Sequence, residues 1–343
     1  MRNKIKTLLV NIGVSLTTII ILLLLLEFSY NLLSKKNFQK EVPRTTGNIY
    51  HSVHLDSLLG YRPDTNIIAS GQKIYKDSVI YSIQYRTDSQ GHRITPFDTN
   101  TIKKYAMFLG CSFVFGDGLN DKETIPYLFA EKKSEFQPYN FGYSGYGPNH
   151  ALVKLQYNQV KGQVKQQNGI CFYLYIHDHI NRTIGSMSSI ESHHGKSPDY
   201  EIEDGKLVHK GFFLKAHPYK TWIFNHMKLS SFLRHFGIGY PFRLNDSHYD
   251  LTSSVLEQTS ENYKKQFGNN NFYVIFYPSM SEKDYAQDEH IISRLKNRGV
   301  KVLDYRKLFN PLEEGLYIHH DNHPTNKANK ILVKQILKDL YQK

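Results

Sequence analysis

The sequence predicts an α/β protein, a three-layer α/β/α sandwich with a mostly parallel sheet, carried behind an N-terminal transmembrane helix and a small β-rich extension. Three observations lead there. Leu8 to Leu26 runs for 19 residues without a charge, residues 47–96 hold short alternating stretches such as SVIYSIQYRT, and from Tyr105 onward apolar runs alternate with helical segments. Alternation of strand and helix is the pattern of a parallel sheet covered by helices on both faces.

The first element is the apolar stretch. MRNKIK places Arg2, Lys4 and Lys6 ahead of it and Glu27 ends it. Its length suits a membrane span of about 20 residues better than the signal-peptide core of about 7–15. EFSYNLLSKK, which follows Leu26, offers bulky residues where a signal peptidase needs small ones. The expectation is an uncleaved anchor over residues 1–27, with a cleaved signal peptide as the alternative. Lys35, Lys36, Lys40 and Arg44 balance the charges on the other side, so the positive-inside rule does not orient the helix by itself. A short basic N-terminus usually stays in the cytoplasm, which places the main domain outside, in a bacterial periplasm or cell envelope.

The second element spans residues 28–100, a polar linker from Ser34 to Arg44 and then the β-rich extension, whose alternation predicts antiparallel strands leading to GHRITP. The third spans residues 101–343. YAMFLG, a strand ending near Tyr139, NGICFYLYI, NFYVIFY and GVKVLDY read as buried strands, with helices expected over 123–134, 149–166, 252–267, 283–298 and 325–341. Residues 181–253 break this rhythm and read as an insertion. PDYEIEDGKLVHKGFF forms a hairpin turning at Asp204-Gly205, and KTWIFNHMKLSSFLRHF an amphipathic helix.

Composition narrows the function. At 40% hydrophobic and 13% aromatic the chain packs a core and is not disordered. Without Arg2, Lys4, Lys6 and Glu27, the region from Phe28 onward carries 40 Lys+Arg against 30 Asp+Glu. That surplus favours phospholipid headgroups or acidic polysaccharide. No nucleic-acid motif accompanies it, and no nucleic-acid partner is expected. Cys111 and Cys171 both lie in apolar runs, so the core needs no disulfide.

The chemistry concentrates in three segments. FLGCSFVFGDG, residues 108–118, ends an apolar run on Ser112 among glycines, where a strand ending at Gly110 would expose a hydroxyl at the carboxyl end of the sheet. Taken alone, the serine reads as readily as a cap. Asp321-Asn322-His323-Pro324 precedes the last helix, and a serine nucleophile needs a histidine to take its proton and a carboxylate to orient that histidine. Alone, this segment reads as a turn with an N-cap at Thr325. YNFGYSGYGPN, residues 139–149, is a glycine-rich turn, or a source of backbone N–H groups for an oxyanion.

Together and in this order the three segments resemble the SGNH hydrolase superfamily, the GDSL-like esterases and acyltransferases, over roughly Tyr105 to Leu340. The first block matches Gly110-Cys111-Ser112 and Gly116-Asp117-Gly118, the second Asn140, Gly142 and Gly145, the last Asp321, His323 and Pro324. The resemblance implies a flavodoxin-like fold, a Ser112–His323–Asp321 triad, an oxyanion hole from the N–H groups of Ser112 and Gly145, and no cofactor. Aspartate precedes histidine here by two positions rather than the commoner three. A second departure is YIHDHINR: His177 stands where the family's third block carries its oxyanion asparagine, and Asp178 matches the following aspartate. His177 or Asn181 is then the candidate donor, with Asp178 and Asn149 as candidate substrate contacts. Adjacent residues on an extended segment point to opposite sides, so His177, Asp178 and His179 are not expected to hold a metal, and the pairs His193-His194 and His319-His320 read as loop histidines.

The function this implies is a serine esterase or O-acyltransferase acting on ester-linked acyl groups, acetyl foremost, of a cell-envelope glycan or lipid. Two alternatives stand beside it: a catalytically weak binding or assembly protein of the envelope, which His177 favours, and a (lyso)phospholipase at the membrane surface, with Trp222, Ile223 and Phe224 entering the interface.

Overall fold

The computed structural model describes residues 2–34, 42–49, 53–97, 102–193 and 195–342. Lys35, Lys36 and Lys40, which entered the orientation argument, and His194 lie outside the described residues.

Helix α1 (Arg2–Ser34) is long and apolar enough over Lys4–Leu32 to cross a membrane. It continues past Glu27, because no glycine or proline follows until Pro43 and glutamate is a good helix former. The Glu27 carboxylate is met by donors from a later helix, described below.

The extension comprises β1 (Arg44–Gly47), β2 (Val53–Asp56), β3 (Gly60–Pro63), β4 (Ile68–Tyr75) and β5 (Ser78–Arg86), all paired antiparallel in the order β1-β4-β5, with β2 and β3 forming a separate ribbon. It shares a core with the main domain. Ile49, Ala69, Ile83 and Tyr85 pack with Phe115, Tyr146, Leu152 and Val255. The register of β4 on β5 slips between Lys73 and Ile74, a bulge that re-aims side chains locally.

Arg93, from the GHRITP stretch, is 2% exposed. Its Nη1 donates to the carbonyls of Phe115 (2.9 Å) and Gly116 (2.7 Å), Nη2 to that of Leu119 (2.7 Å), and Nε to Asp121 (3.2 Å). The guanidinium lies 5.3 Å from the ring centres of both Tyr85 and Phe115.

The main domain runs β6 (Lys104–Leu109), α2 (Ser112–Phe115), a 3-10 turn, α3 (Ile125–Lys132), β7 (Phe136–Asn140), α4 (Pro148–Gln156), β8 (Asn168–Tyr175), α5 (His179–Thr183) and α6 (Met187–His193). The chain then forms a hairpin, β9 (Pro198–Glu203) and β10 (Lys206–Phe212), followed by α7 (Phe213–Ala216), α8 (Pro218–Met227) and α9 (Ser231–His235). It closes with α10 (Asp246–Phe267), β11 (Phe272–Phe276), α11 (Glu282–Asn297), β12 (Lys301–Asp304) and α12 (Asn326–Tyr341). Five strands form one parallel sheet in the order β12-β11-β8-β6-β7. In chain order that is 2-1-3-4-5 read from the β7 edge, the doubly wound arrangement, with its switch point between β6 and β8 where such sheets bind ligands. Met107, Tyr173 and Val274 bury one face under α4, α10 and α11, and Phe108, Phe172 and Ile275 bury the other under α3 and α12.

Each expected strand is present. The helix expected over 149–166 stops at Gln156, and Asn158 adopts φ 55°, where a helix cannot continue. The helix expected over residues 220–236 is two, broken before Ser230, whose hydroxyl caps α9 by accepting from Leu233 N–H. The hairpin turns at Asp204-Gly205 as expected, both at positive φ.

Removing the Arg93 side chain would take a buried donor from three carbonyls and from Asp121. Arg93→Ala is expected to cost about 3–5 kcal/mol of stability, read from urea unfolding in detergent, with Arg93→Lys recovering only part because one ammonium cannot span all four acceptors.

Candidate active site

Ser112 opens α2, one turn after β6 ends, at the switch point of the sheet, and is 6% exposed. Gly110, at φ 151°, lets the chain leave the strand there; a Cβ on it would sit 2.8 Å from Val114 Cγ2. The turn is tied to the segment after β7. The Asn140 amide donates to the carbonyls of Val114 (2.9 Å) and Phe115 (3.3 Å), and Gly142 N–H donates back to Asn140 Oδ1 (3.2 Å). A Cβ on Gly142 would meet Val114 at 2.7 Å and the Cys111 carbonyl at 2.9 Å, so only glycine permits this approach. Among the described residues the backbone N–H groups of Ser112 and Gly145 donate to no protein acceptor.

Asp321 and His323 lie in a tight loop ahead of α12. Ile318 N–H donates to the His323 carbonyl (2.8 Å), Tyr317 pairs with Pro324, and both His320 (φ 59°) and Asn322 (φ 66°) are left-handed. Such backbone in a non-glycine residue costs energy and is concentrated at functional sites. Thr325 caps α12, as expected, accepting from Ala328 N–H. His320 is held by stacking on Tyr75, ring centres 3.8 Å apart.

His323 Nδ1 is hydrogen-bonded to Asp321 Oδ1, and the other Asp321 oxygen accepts from Lys73 Nζ of β4. Across the ring, Nε2 faces Asp117 Oδ2 at 3.8 Å, and Asp117 in turn accepts from Ser144 Oγ at 2.6 Å. The imidazole meets the ring of Phe113, the neighbour of Ser112, edge to face at 5.6 Å. The triad candidates are thus gathered at one end of the sheet. In this resting arrangement no hydrogen bond joins Ser112 Oγ to His323 Nε2 among the described residues, and such contacts often tighten only around a substrate.

The remaining candidates are placed differently. His177 Nδ1 is bonded to Asp288 (2.8 Å) and Nε2 lies 3.5 Å from Asp284, both on α11, so its two ring nitrogens are committed to that helix. Asn181 donates to Asp178 at 3.3 Å, and exposed Asp178 accepts from Arg182 Nε at 2.8 Å. Asn149, expected to touch substrate, is 2% exposed, and its amide donates to the carbonyls of Thr183 (3.2 Å) and Pro198 (2.8 Å), where it braces the insertion against α4. His179 Nδ1 pairs with the Tyr173 hydroxyl at 2.8 Å, so His177, Asp178 and His179 do not converge on one centre. A group able to offer three metal ligands does occur in the insertion, at Asp199, Glu201 and His217; His217 Nε2 is paired with Asp199 at 2.9 Å.

Three residues escaped the sequence reading: Lys73, Arg93 and Arg182. Arg182 donates from Nη1 to the Tyr146 carbonyl (2.8 Å), beside Gly145.

The chain is similar to several solved structures. One is a member of the lipolytic G-D-S-L family from Veillonella parvula, at 9% identity and TM-score 0.40, matching 70% of this chain and all of the other. A lipase from a goat rumen metagenome gives 12%, 0.41, 69% and 97%, and a family two carbohydrate esterase from Clostridium thermocellum 8%, 0.41, 79% and 79%. No family model and no curated protein matches the sequence.

The electrostatics follow from the contacts. Burial acts to raise Asp321, but the hydrogen bond and charge of His323 and the Lys73 ammonium outweigh it and hold the carboxyl at about 2. Burial acts to lower His323, and the hydrogen bond to Asp321 with the charges of Asp117 and Asp321 outweighs it, raising the imidazole above 6.5. Burial raises Asp117 above 3.8. The raised His323 stabilises the fold below pH 6.5 and loses that contribution as pH climbs through its folded pKa. The depressed Asp321 contributes above 3.8 and loses it as pH falls towards 2. The pair is at full strength between those limits. An NMR titration of the His323 ring protons should give a midpoint above 6.5, moving down in Asp117→Asn and further up in Lys73→Met.

Proposed function

We propose that this protein is a membrane-anchored serine esterase or O-acyltransferase of the bacterial envelope, with its main domain outside the cytoplasm, acting on ester-linked acyl groups of a glycan or lipid. The observation that carries the reading is the chain Lys73–Asp321–His323, which meets Phe113 next to Ser112 at the switch point of the sheet.

Ser112 Oγ attacks the ester carbonyl while His323 Nε2 takes its proton. Asp321 holds Nδ1–H and stabilises the imidazolium, and Lys73 keeps Asp321 ionised. The N–H groups of Ser112 and Gly145 receive the oxyanion. Collapse expels the alcohol, which leaves with the proton from His323. The acyl group then passes from Ser112 to water or to an acceptor hydroxyl, activated by the same histidine. Because His177 is committed to α11, the oxyanion hole of this chain rests on two backbone donors, with the Arg182 guanidinium adding positive potential at the edge of the loop. Loss of a side-chain donor typically costs about 10²–10³ in rate. The same observation favours a second reading, a binding or assembly protein on this scaffold with weak chemistry.

The test is labelling of the full chain in detergent with a fluorophosphonate. The wild type is expected to label and Ser112→Ala not to, with ester cleavage by Ser112→Ala falling by about 10⁴-fold or more and by Asp321→Asn about 10²–10⁴-fold. Cleavage by the wild type is expected to rise with pH through the His323 pKa above 6.5, since the base must be neutral. A folded wild type that does not label puts the binding reading first.

A further inference from the structure

The insertion carries a surface that a water-facing domain does not explain. Helix α8 buries Thr221 and Phe224, the latter in a small core with Ile190 and Phe213. Its opposite face, which in a soluble domain is polar, presents Tyr219 (85% exposed), Trp222 (62%) and Ile223 at helical spacing, and Leu229 and Phe242 continue the exposed apolar surface beyond the helix. Along this stretch of chain the charge is of one sign, with Asp199, Glu201 and Asp250 lining the cavity on the inner side of Lys220. From Gly205 to Asn245 the chain contains no Asp or Glu and seven Lys or Arg, all exposed but Lys228, which is half-buried.

The position of this surface is set by α1. Glu27 accepts from Ser230 Oγ and from the backbone N–H groups of Ser231 (2.6 Å) and Phe232 (3.2 Å), and Tyr30 packs on the rings of Phe232, His235 and Phe236 at 5.3–6.5 Å. Helix α9 therefore lies beside the last turns of the apolar span. At 1.5 Å per residue, Leu8 to Leu26 is roughly 28 Å long, close to the hydrocarbon thickness of a bilayer. That puts Glu27 and Tyr30 at headgroup level and α9 with them. Only three residues, Lys228–Ser230, separate α9 from α8, a reach of about 10 Å at most.

We infer that α8 and α9 form a second membrane contact, in which Tyr219, Trp222 and Ile223 enter the headgroup region of the same anionic bilayer that holds α1 and the neighbouring cations face its lipid phosphates. The inference rests on reading α1 as an anchor. Aromatic residues gather at this depth of a membrane, and basic residues add attraction to anionic lipid. Asn149 ties the insertion to the main sheet domain and the His217–Asp199 pair ties the start of α8 to the hairpin that Asn149 holds, so the contact fixes the orientation of the site to the lipid surface rather than leaving the domain free on a tether.

Trp222 is the only tryptophan, so its emission reports this surface alone. The full chain is reconstituted at one molecule per nanodisc, in phosphatidylglycerol–phosphatidylcholine mixtures with or without brominated acyl chains. Brominated lipid is expected to quench Trp222 about twofold or more, protection from aqueous iodide to appear, and both effects to shrink in Lys220→Glu/Lys228→Glu/Arg234→Glu, whose α1 is unchanged. Ser112→Ala should behave as wild type, which separates this result from the fate of the esterase reading. Emission at a water-exposed wavelength, with full iodide quenching and none by bromine, overturns the inference. So does protection that arises only when two chains share a disc, which assigns the face to a second copy, and so does failure of the full chain to enter the discs.

Discussion

A buried guanidinium organises the end of this molecule that carries the candidate site. Arg93 is out of water, and a lone cation there would be expensive, yet every direction in which it donates is occupied by a carbonyl of residues 115–119 or by Asp121. The carbonyls it gathers are those of the turn that follows Ser112. The β-rich extension is therefore not an appendage between anchor and domain. It supplies Arg93 to the turn after Ser112 and Lys73 to Asp321, so the two halves of the candidate site, some 200 residues apart in sequence, are each held by a cation from the same extension.

Much of the scaffold was legible because the signals are local. Buried parallel strands must be apolar on both faces, which makes YAMFLG, NGICFYLYI and NFYVIFY stand out, and α12 begins at Thr325, a capping residue visible in the sequence. Two helix ends were misread for a physical reason. Asn158 takes a left-handed conformation that side-chain periodicity does not encode, and Ser230 reads as one more polar position on an amphipathic helix until its hydroxyl is seen capping α9.

The site was legible in its chemistry and not in its supports. Ser112, Asp321 and His323 belong to short patterns, whereas Lys73 is one lysine in an alternating strand and Arg93 one arginine in a turn after it; their partners lie 248 and about 25 residues away, and only the folded register joins them. Asn149 failed as a substrate contact for the converse reason. An asparagine after a glycine-rich turn looks exposed, but α4 folds it under the insertion, where two carbonyls need its amide. His177 stands at the expected place in the chain, and two acids from α11, more than 100 residues on, decide which way it turns.

The order of charges across the candidate site bears on the proton transfer of the proposed mechanism. Lys73, Asp321, His323, Asp117 and Arg93 alternate in sign once the imidazole is protonated, with the outer cations placed behind the two carboxylates. Each carboxylate favours imidazolium, and the cation behind it disfavours its own protonation. In the proposed mechanism a proton leaving Ser112 is held on His323, which the neighbouring carboxylates raise, rather than passed on to Asp321, held at about 2. The left-handed Asn322 and the stacked His320 keep Asp321 and His323 on the same side of their loop although one residue separates them, so the short aspartate–histidine spacing is compatible with an orienting contact. Strain in that loop, offset by Lys73 and Tyr75 of β4, makes the extension a condition of the geometry on which the proposed proton transfer depends.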